Sequence, residues 1–224
     1  GFLRDDQPIR PEACLGILPL GTGGDFRRTL GVSRDLGAAI DVLATATPRA
    51  LDLGKVEFQA WNGRRESRYF VNLVSFGMGG EVASRAQNIL SPLGGPVAFL
   101  FATLVAFFVY QRKQVRLRLD GAAAPLPFEI YNVAVGNGRY HGGGMQVCPT
   151  ADPADGVFEV TVIEYLRRWE AMKDLRVLYS DNVYQHPKVK HLRAARLVAE
   201  SADEVRIEVD GEPLGTLPLE ITLL

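Results

Sequence analysis

After Ala50 the chain returns again and again to one pattern: a short stretch that alternates apolar and polar residues and ends in a two-residue turn. Val115, Leu117 and Leu119 alternate with Arg116, Arg118 and Asp120. Asp120-Gly121 marks a turn, and Phe128 to Val135 reads as the returning strand. Val157 to Ile163 and Val205 to Val209 repeat the alternation, and Arg68 to Phe76 is rich in β-formers. Asp210-Gly211 is a strong hairpin signal before Leu214 to Leu224. A period of two sends successive side chains to opposite faces, so each run is a half-buried strand. One helix interrupts them, with Leu166, Trp169, Met172 and Leu175 at near-helical spacing. Many short strands with few helices between them predict an antiparallel sandwich rather than a parallel sheet.

The first fifty residues carry a different signal. Leu15 to Leu20 is a short apolar run, GTGGD follows, and a helix is expected from Phe26. A second helix is expected with Ser33 as N-cap, Asp35 in its first turn, Leu36, Ile40 and Leu43 on one face, and Pro48 as its stop. The expected class is α+β and multidomain: an α/β segment over 1–49, then a large antiparallel β-sandwich over 50–224. The last strand has the option of returning to the first domain.

Composition narrows the partners. The net charge of -1 provides no global basic field, which excludes recruitment of nucleic acid by charge alone. Cys14 and Cys148 stand alone, without the spacing of a zinc site or a disulfide framework, and a reducing cytosol fits them. From Ala86 to Gln111 no residue is charged, and Val97 to Tyr110 is almost wholly apolar. That run is shorter than the ~20 residues a spanning helix needs. Ser91, Pro92, Gly94, Gly95 and Pro96 precede it and break a helix, so a buried or surface-associated helix is expected.

Five motifs could carry chemistry, and each has a plainer reading. Strand, Gly-rich turn and helix at Leu15 to Phe26 can set backbone N–H groups against phosphate, with Gly21, Gly23 and Gly24 allowing close approach and Asp25 facing a metal or a hydroxyl; a simple βα turn needs glycines too. Gly136 to Gly144, flanking Tyr140 and His141, either wraps a ligand or joins two strands. Asp152 and Asp155 in ADPADG suit a hard cation or merely a turn, and Glu212 after Asp-Gly suits chemistry or a solvated strand. The basic stretch with Lys188, Lys190, Arg193 and Arg196 reads as a lipid-headgroup patch or a solvated face.

Taken together, GILPLGTGGDFRRTLG, LDLGKV, RYFVNLVSFGMGGEV, VAVGNGRYHGGGMQVCPTADPADGVFEV and VDGEPLGTLPLEI resemble, in order and over nearly the whole chain, the diacylglycerol kinase catalytic-domain family. This resemblance implies a partial NAD-kinase-like α/β domain, a β-sandwich, ATP in the cleft between them and Mg²⁺ as cofactor. It places Gly21, Thr22, Gly23, Gly24 and Asp25 on the nucleotide side and Glu81 beside the acceptor lipid. It implies a metal site at Asp155 completed by backbone near Asp152 and Val157, with Glu212 as general base. The implied partner is a lipid at a membrane surface, with a homodimer as an option, and the implied location is cytoplasmic and peripheral to the membrane.

Two departures accompany the resemblance. Gly24 stands where the family has Asn, and the family's G-G-D-G-T motif does not occur, while Gly1-Phe2-Leu3 resembles the end of the helix that follows it. The expectation is therefore an N-terminally truncated lipid kinase, inactive alone. The alternatives are a kinase of a soluble acceptor and a non-catalytic lipid-binding module.

Overall fold

The computed structural model describes residues 3–21, 24–88, 110–166, 177 and 180–224. The apolar run over 97–109, the helix expected beyond Leu166, and Thr22 and Gly23 of the nucleotide motif lie outside the described residues.

The alternating runs form strands whose borders are set by turns. They are β3 (Gly54–Ala60), β4 (Arg65–Phe70), β5 (Leu73–Gly77), β6 (Lys113–Leu119), β7 (Leu126–Gly136) and β8 (Phe158–Glu164). After them come β9 (Val189–Ala194), β10 (Arg196–Glu200), β11 (Arg206–Val209) and β12 (Glu212–Leu223). All ten join one antiparallel sheet in the order β10-β6-β7-β5-β11-β12-β3-β4, with β8 against β7 and β9 against β8. β12 also pairs with β10 through Arg196–Thr222 to Ala199–Leu219, which closes the sheet on itself. The result is a folded-over, barrel-like sandwich, and β12 finishes opposite Gly54 of β3.

The period of two decides where the core sits. Val74 and Phe76 of β5, Val133 and Val135 of β7, Phe158, Val160 and Val162 of β8, and Ile207 and Val209 of β11 point into one apolar cluster. Phe70 and Phe158 stack there with ring centroids 5.5 Å apart. Each such side chain contributes about 1.5–3 kcal/mol on leaving water. The alternate residues, Ser75, Asn132, Ala134, Thr161 and Glu208, line the opposite face, which the loop after β7 and one helix, α3 (Met78–Asn88), cover.

The strand expected across Arg68 to Phe76 is two strands, because Asp210 draws the N–H groups of Val71, Asn72 and Leu73 out of the ladder. No strand is expected over 189–200, where β9 and β10 lie: Lys190 and Arg193 belong to a stretch with the pattern of a charged patch, although they sit on one edge strand beside β8.

In the first segment β1 (Leu3–Arg4) and β2 (Gln7–Pro8) form a small hairpin. Asp6 at its tip accepts from Lys55 Nζ and Tyr69 Oη, each at 2.7 Å, and fastens it to β3 and β4. Helix α1 (Asp25–Thr29) begins one residue before Phe26. Helix α2 (Leu36–Thr45) is capped by Asp35, whose carboxylate accepts from Ala38 N–H at 2.8 Å; Ser33 instead accepts from the N–H of Asp35. The run Leu15 to Leu20 is not a strand. A strand needs a neighbour for its N–H and C=O groups, and no described residue pairs with this one, so Leu15 and Leu20 stay exposed.

Candidate functional site

The site grows from the β11–β12 turn. Asp210 and Gly211 both take positive φ (48° and 89°), the geometry of a tight hairpin. In that position the Asp210 carboxylate accepts from Val71, Asn72 and Leu73 N–H at 3.0, 3.1 and 2.9 Å. Burial pushes its carboxyl above the ordinary aspartate value, while those three N–H groups pull the other way. Asn72 passes the order onward: its C=O accepts from Asn137 and Gly138 N–H at 2.8 and 2.7 Å, and its amide donates to Tyr140 O at 3.1 Å. The loop from Gly136 to Met145 is thus suspended from the hairpin.

That loop meets the nucleotide motif. Gly143 N–H donates to Asp25 Oδ2 at 2.9 Å, and Arg139 N–H donates to Thr29 Oγ1 at 3.0 Å. Arg28 lies 3.9 Å from Asp25 and 6.0 Å from the centre of the Tyr140 ring. Gly144, at φ +116°, leaves the space Arg28 needs: a Cβ there would fall 1.7 Å from its Nη1. Gly24 caps α1, and Gly21 is exposed just before the motif's undescribed pair.

Glu81, expected beside the acceptor, projects from α3 between two guanidinium groups, 2.7 Å from Arg85 and 3.3 Å from Arg206. Arg206 also donates to Ser84 Oγ at 3.0 Å and rests 5.8 Å from the centre of the Trp61 ring. A cavity of about 270 Å³ opens here, lined among others by Gly77, Glu81, Arg85, Tyr110, Lys113 and Arg206. Gly80 makes the approach of α3 to β11 feasible, since a Cβ would lie 2.2 Å from Arg206 O.

Glu212 stands apart from both groups. It is exposed at the start of β12 and its register partner is Val209, a core residue, whereas Glu208 pairs with Pro213. Neighbours along a strand point to opposite faces, so Glu208 and Glu212 set out from opposite sides of the hairpin.

The residues given to Mg²⁺ come together as a turn. Asp152 Oδ1 accepts from Ala154 N–H at 3.2 Å and Asp155 Oδ1 from Val157 N–H at 3.3 Å. Asp52 binds the turn at two points, through Pro153 O at 2.7 Å and Gly156 N–H at 2.8 Å. The second Asp155 oxygen is paired with Arg193, whose Nε lies 3.1 Å from buried Glu159. With a guanidinium on its one central carboxylate, this set does not fit a divalent cation. Among the described residues no three acidic, histidine or cysteine side chains cluster as a metal site. The basic stretch is partly spent as well, since Arg196 pairs with Glu220 at 2.7 Å.

Asp210 and Arg206 escaped the sequence reading: the first looked like a turn residue, the second like a polar strand residue. The only available signal was their place beside Glu212 in a strand that ends in Asp-Gly.

A folded-over antiparallel sheet, with the segment around Asp25 held against the loop that covers its back face, defines a sandwich like that of the NAD kinases. Residues 72–224 match the YegS C-terminal NAD kinase beta sandwich-like domain, and residues 5–56 match the diacylglycerol kinase catalytic domain. The chain belongs to the family of the YegS C-terminal NAD kinase beta sandwich-like domain, whose model covers more than half of it. It is 31% identical over 203 residues to a Pseudomonas syringae pv. tomato protein named "Probable lipid kinase YegS-like", covering 91% of this chain and 62% of that one. It is 28% identical over 213 residues to a diacylglycerol kinase of Staphylococcus saprophyticus, covering 95% and 66%. A crystal structure from Bacillus anthracis str. Sterne superposes with TM-score 0.67 at 25% identity, covering 94% of this chain and 66% of that chain. The chain therefore spans a little under two thirds of the length of these relatives. No helix among the described residues is long and apolar enough to cross a membrane.

Proposed function

We propose that this chain supplies the nucleotide loop and the acceptor side of an ATP-dependent lipid kinase. The enzyme moves the γ-phosphoryl group of MgATP to a lipid hydroxyl, diacylglycerol-like or sphingoid. The observation that carries the reading is the Gly143 N–H to Asp25 hydrogen bond, which fastens the segment matched by the catalytic-domain family to the sandwich. Phosphoryl transfer depends chiefly on positioning and charge stabilisation. In this reading Gly21 and Gly24 bring backbone close to phosphate, with Thr22 and Gly23 completing the loop, and Asp25 orients it.

Glu81 faces the acceptor, and Glu212 takes the proton of the attacking hydroxyl as its oxygen bonds to phosphorus and ADP departs. Exposed Leu15, Leu18, Leu20, Ile40 and Leu43 support residues 1–49 as part of a larger α/β domain, with the sandwich from residue 50 onward. The enzyme would work in the cytoplasm at a membrane surface. Mg²⁺ enters as part of the nucleotide substrate, and no step passes through Asp152, Asp155 or Val157.

Transfer of label from ATP to a panel of dispersed lipids tests the reading, using the gene extended to the length of its relatives. A labelled lipid, lost in Glu212→Gln and reduced in Asp25→Asn, is the expected result. A well-folded protein that labels no lipid, or a Glu212→Gln variant with full turnover, would overturn it.

A further inference from the structure

One buried carboxylate takes no part in the chemistry proposed above. Glu208, in β11, is 1% exposed and points to the back face of the sheet, away from the core to which Ile207 and Val209 turn. A carboxylate removed from water needs compensating partners. Glu208 has two on one oxygen: Ser75 Oγ donates at 2.8 Å, and His141 Nε2 lies 3.3 Å away. Ser75 is fully buried and gives its hydrogen to Glu208, so the trio is not a nucleophile–base arrangement.

His141 belongs to the loop that meets Asp25. Its backbone closes the loop at the base, donating to Met145 O at 2.9 Å and accepting from Met145 N–H at 3.0 Å. Between them Gly142, Gly143 and Gly144 take positive φ (59°, 88° and 116°) and have no side chains with which to anchor themselves. At the tip, Gly143 N–H reaches Asp25. The imidazole is thus the side chain nearest the glycine tip on its N-terminal side that reaches the sandwich, beside the Asn72 amide on Tyr140 O and the packed Met145.

We infer that His141 is a positioning residue for the nucleotide loop: held by Glu208, whose carboxylate Ser75 orients, it fixes the glycine tip so that the Gly143 N–H holds the Asp25 carboxylate. The path runs from a buried charge in the sandwich to the nucleotide motif through one side chain and one backbone hydrogen bond. This inference rests on the nucleotide-side reading of Asp25. It makes nucleotide affinity depend on a sandwich strand.

Amide hydrogen exchange and steady-state kinetics on the full-length protein test it, with His141→Leu, His141→Gln and Glu208→Met. His141→Leu should speed exchange at Gly142 to Gly144 by about tenfold, the scale of one close polar contact to a buried carboxylate. It should raise KM for ATP by a similar factor while kcat stays within about threefold. His141→Gln, which keeps a donor for Glu208, should restore both. In the Glu208→Met background, His141→Leu should add little, because the clamp is already gone.

Unchanged exchange in His141→Leu, a Gln variant as impaired as Leu, or fully additive effects in the double variant would each overturn the inference. Should His141→Leu fail to fold, Glu208→Met decides alone: unchanged exchange at the glycine tip refutes the clamp. A parent that binds no ATP, with exchange still responding to His141→Leu, would remove the kinase reading and leave the clamp of the loop in place.

Discussion

Removing the Asp210 side chain should cost more stability than its exposed turn position suggests. In Asp210→Ala the N–H groups of Asn72 and Leu73, both buried residues, lose their acceptor, at about 1–3 kcal/mol each. Val71 is less buried than its two neighbours, and water should replace that bond. Alanine also pays about 1 kcal/mol to hold the left-handed backbone at φ 48°. Together the loss is about 3–7 kcal/mol, a large share of a domain's stability. Asp210→Asn keeps the Oδ1 position, which serves both Asn72 and Leu73, and tolerates the backbone, so it should stay within about 1 kcal/mol of the parent.

The pH dependence of the same group has a defined sign. Burial raises the folded carboxyl above its unfolded value, so the folded state binds the proton more tightly. The parent should therefore gain stability relative to Asp210→Asn as pH falls through that raised value, and hold none of the gain at neutrality. Urea denaturation at pH 7 and near pH 4.5 measures both effects. An alanine variant within about 1 kcal/mol of the parent, or an asparagine variant as damaged as alanine, would refute the accounting.

Other predictions follow from single contacts. Arg193→Ala leaves Asp155 and buried Glu159 short of a cation and should cost about 2 kcal/mol in urea denaturation, whereas millimolar Mg²⁺ should not shift the parent's melting temperature. Gly144→Ala should displace Arg28 from Tyr140 and weaken ATP binding without changing the melting temperature by more than a few degrees, as titration and calorimetry would show. Burial pushes the Cys148 thiol up to about 12, so a thiol reagent at pH 8 should label Cys14 at once and Cys148 only on unfolding.

The strands most legible in the sequence were those with one buried face. Val115 and Leu117 alternate with arginines because solvent lies on one side of β6, and β12 follows the same rule after Asp210-Gly211. Legibility failed where tertiary partners override local pattern. The break at Val71–Asn72 is made by Asp210, 139 and 138 positions away, and nothing near it in sequence announces it. β9 was hidden because its Lys190, His191 and Arg193 face solvent or carboxylates on an edge strand, so no apolar alternation develops. Of the site, the Asp25 motif and the glycine loop were visible as separate motifs, but that they touch each other was not. Arg206 and Glu208 were illegible for another reason: a charged residue between Val205 and Val209 reads as the solvent phase of a strand, and here that phase is covered by α3 and the glycine loop.

That covered phase suggests how the fold divides its labour. In β5 and β11 the residues that turn inward, Val74, Phe76, Ile207 and Val209, are all apolar and belong to the core, while Ser75 and Glu208 carry bonds toward the loop and α3 covers the same side. A substitution in one phase should therefore report on stability and a substitution in the other on the site, although the two are adjacent in sequence. Ile207→Val removes one buried methylene at a cost of about 1 kcal/mol and should leave exchange at Gly142 to Gly144 unchanged relative to global unfolding. Glu208→Met should loosen the glycine tip out of proportion to its loss of global stability: a methionine of similar volume still fills the space, although the Ser75 hydroxyl loses its acceptor. If both variants moved both observables in the same proportion, the two faces of these strands would be one mechanical unit, and the separation of core from site argued from the strand period would fail.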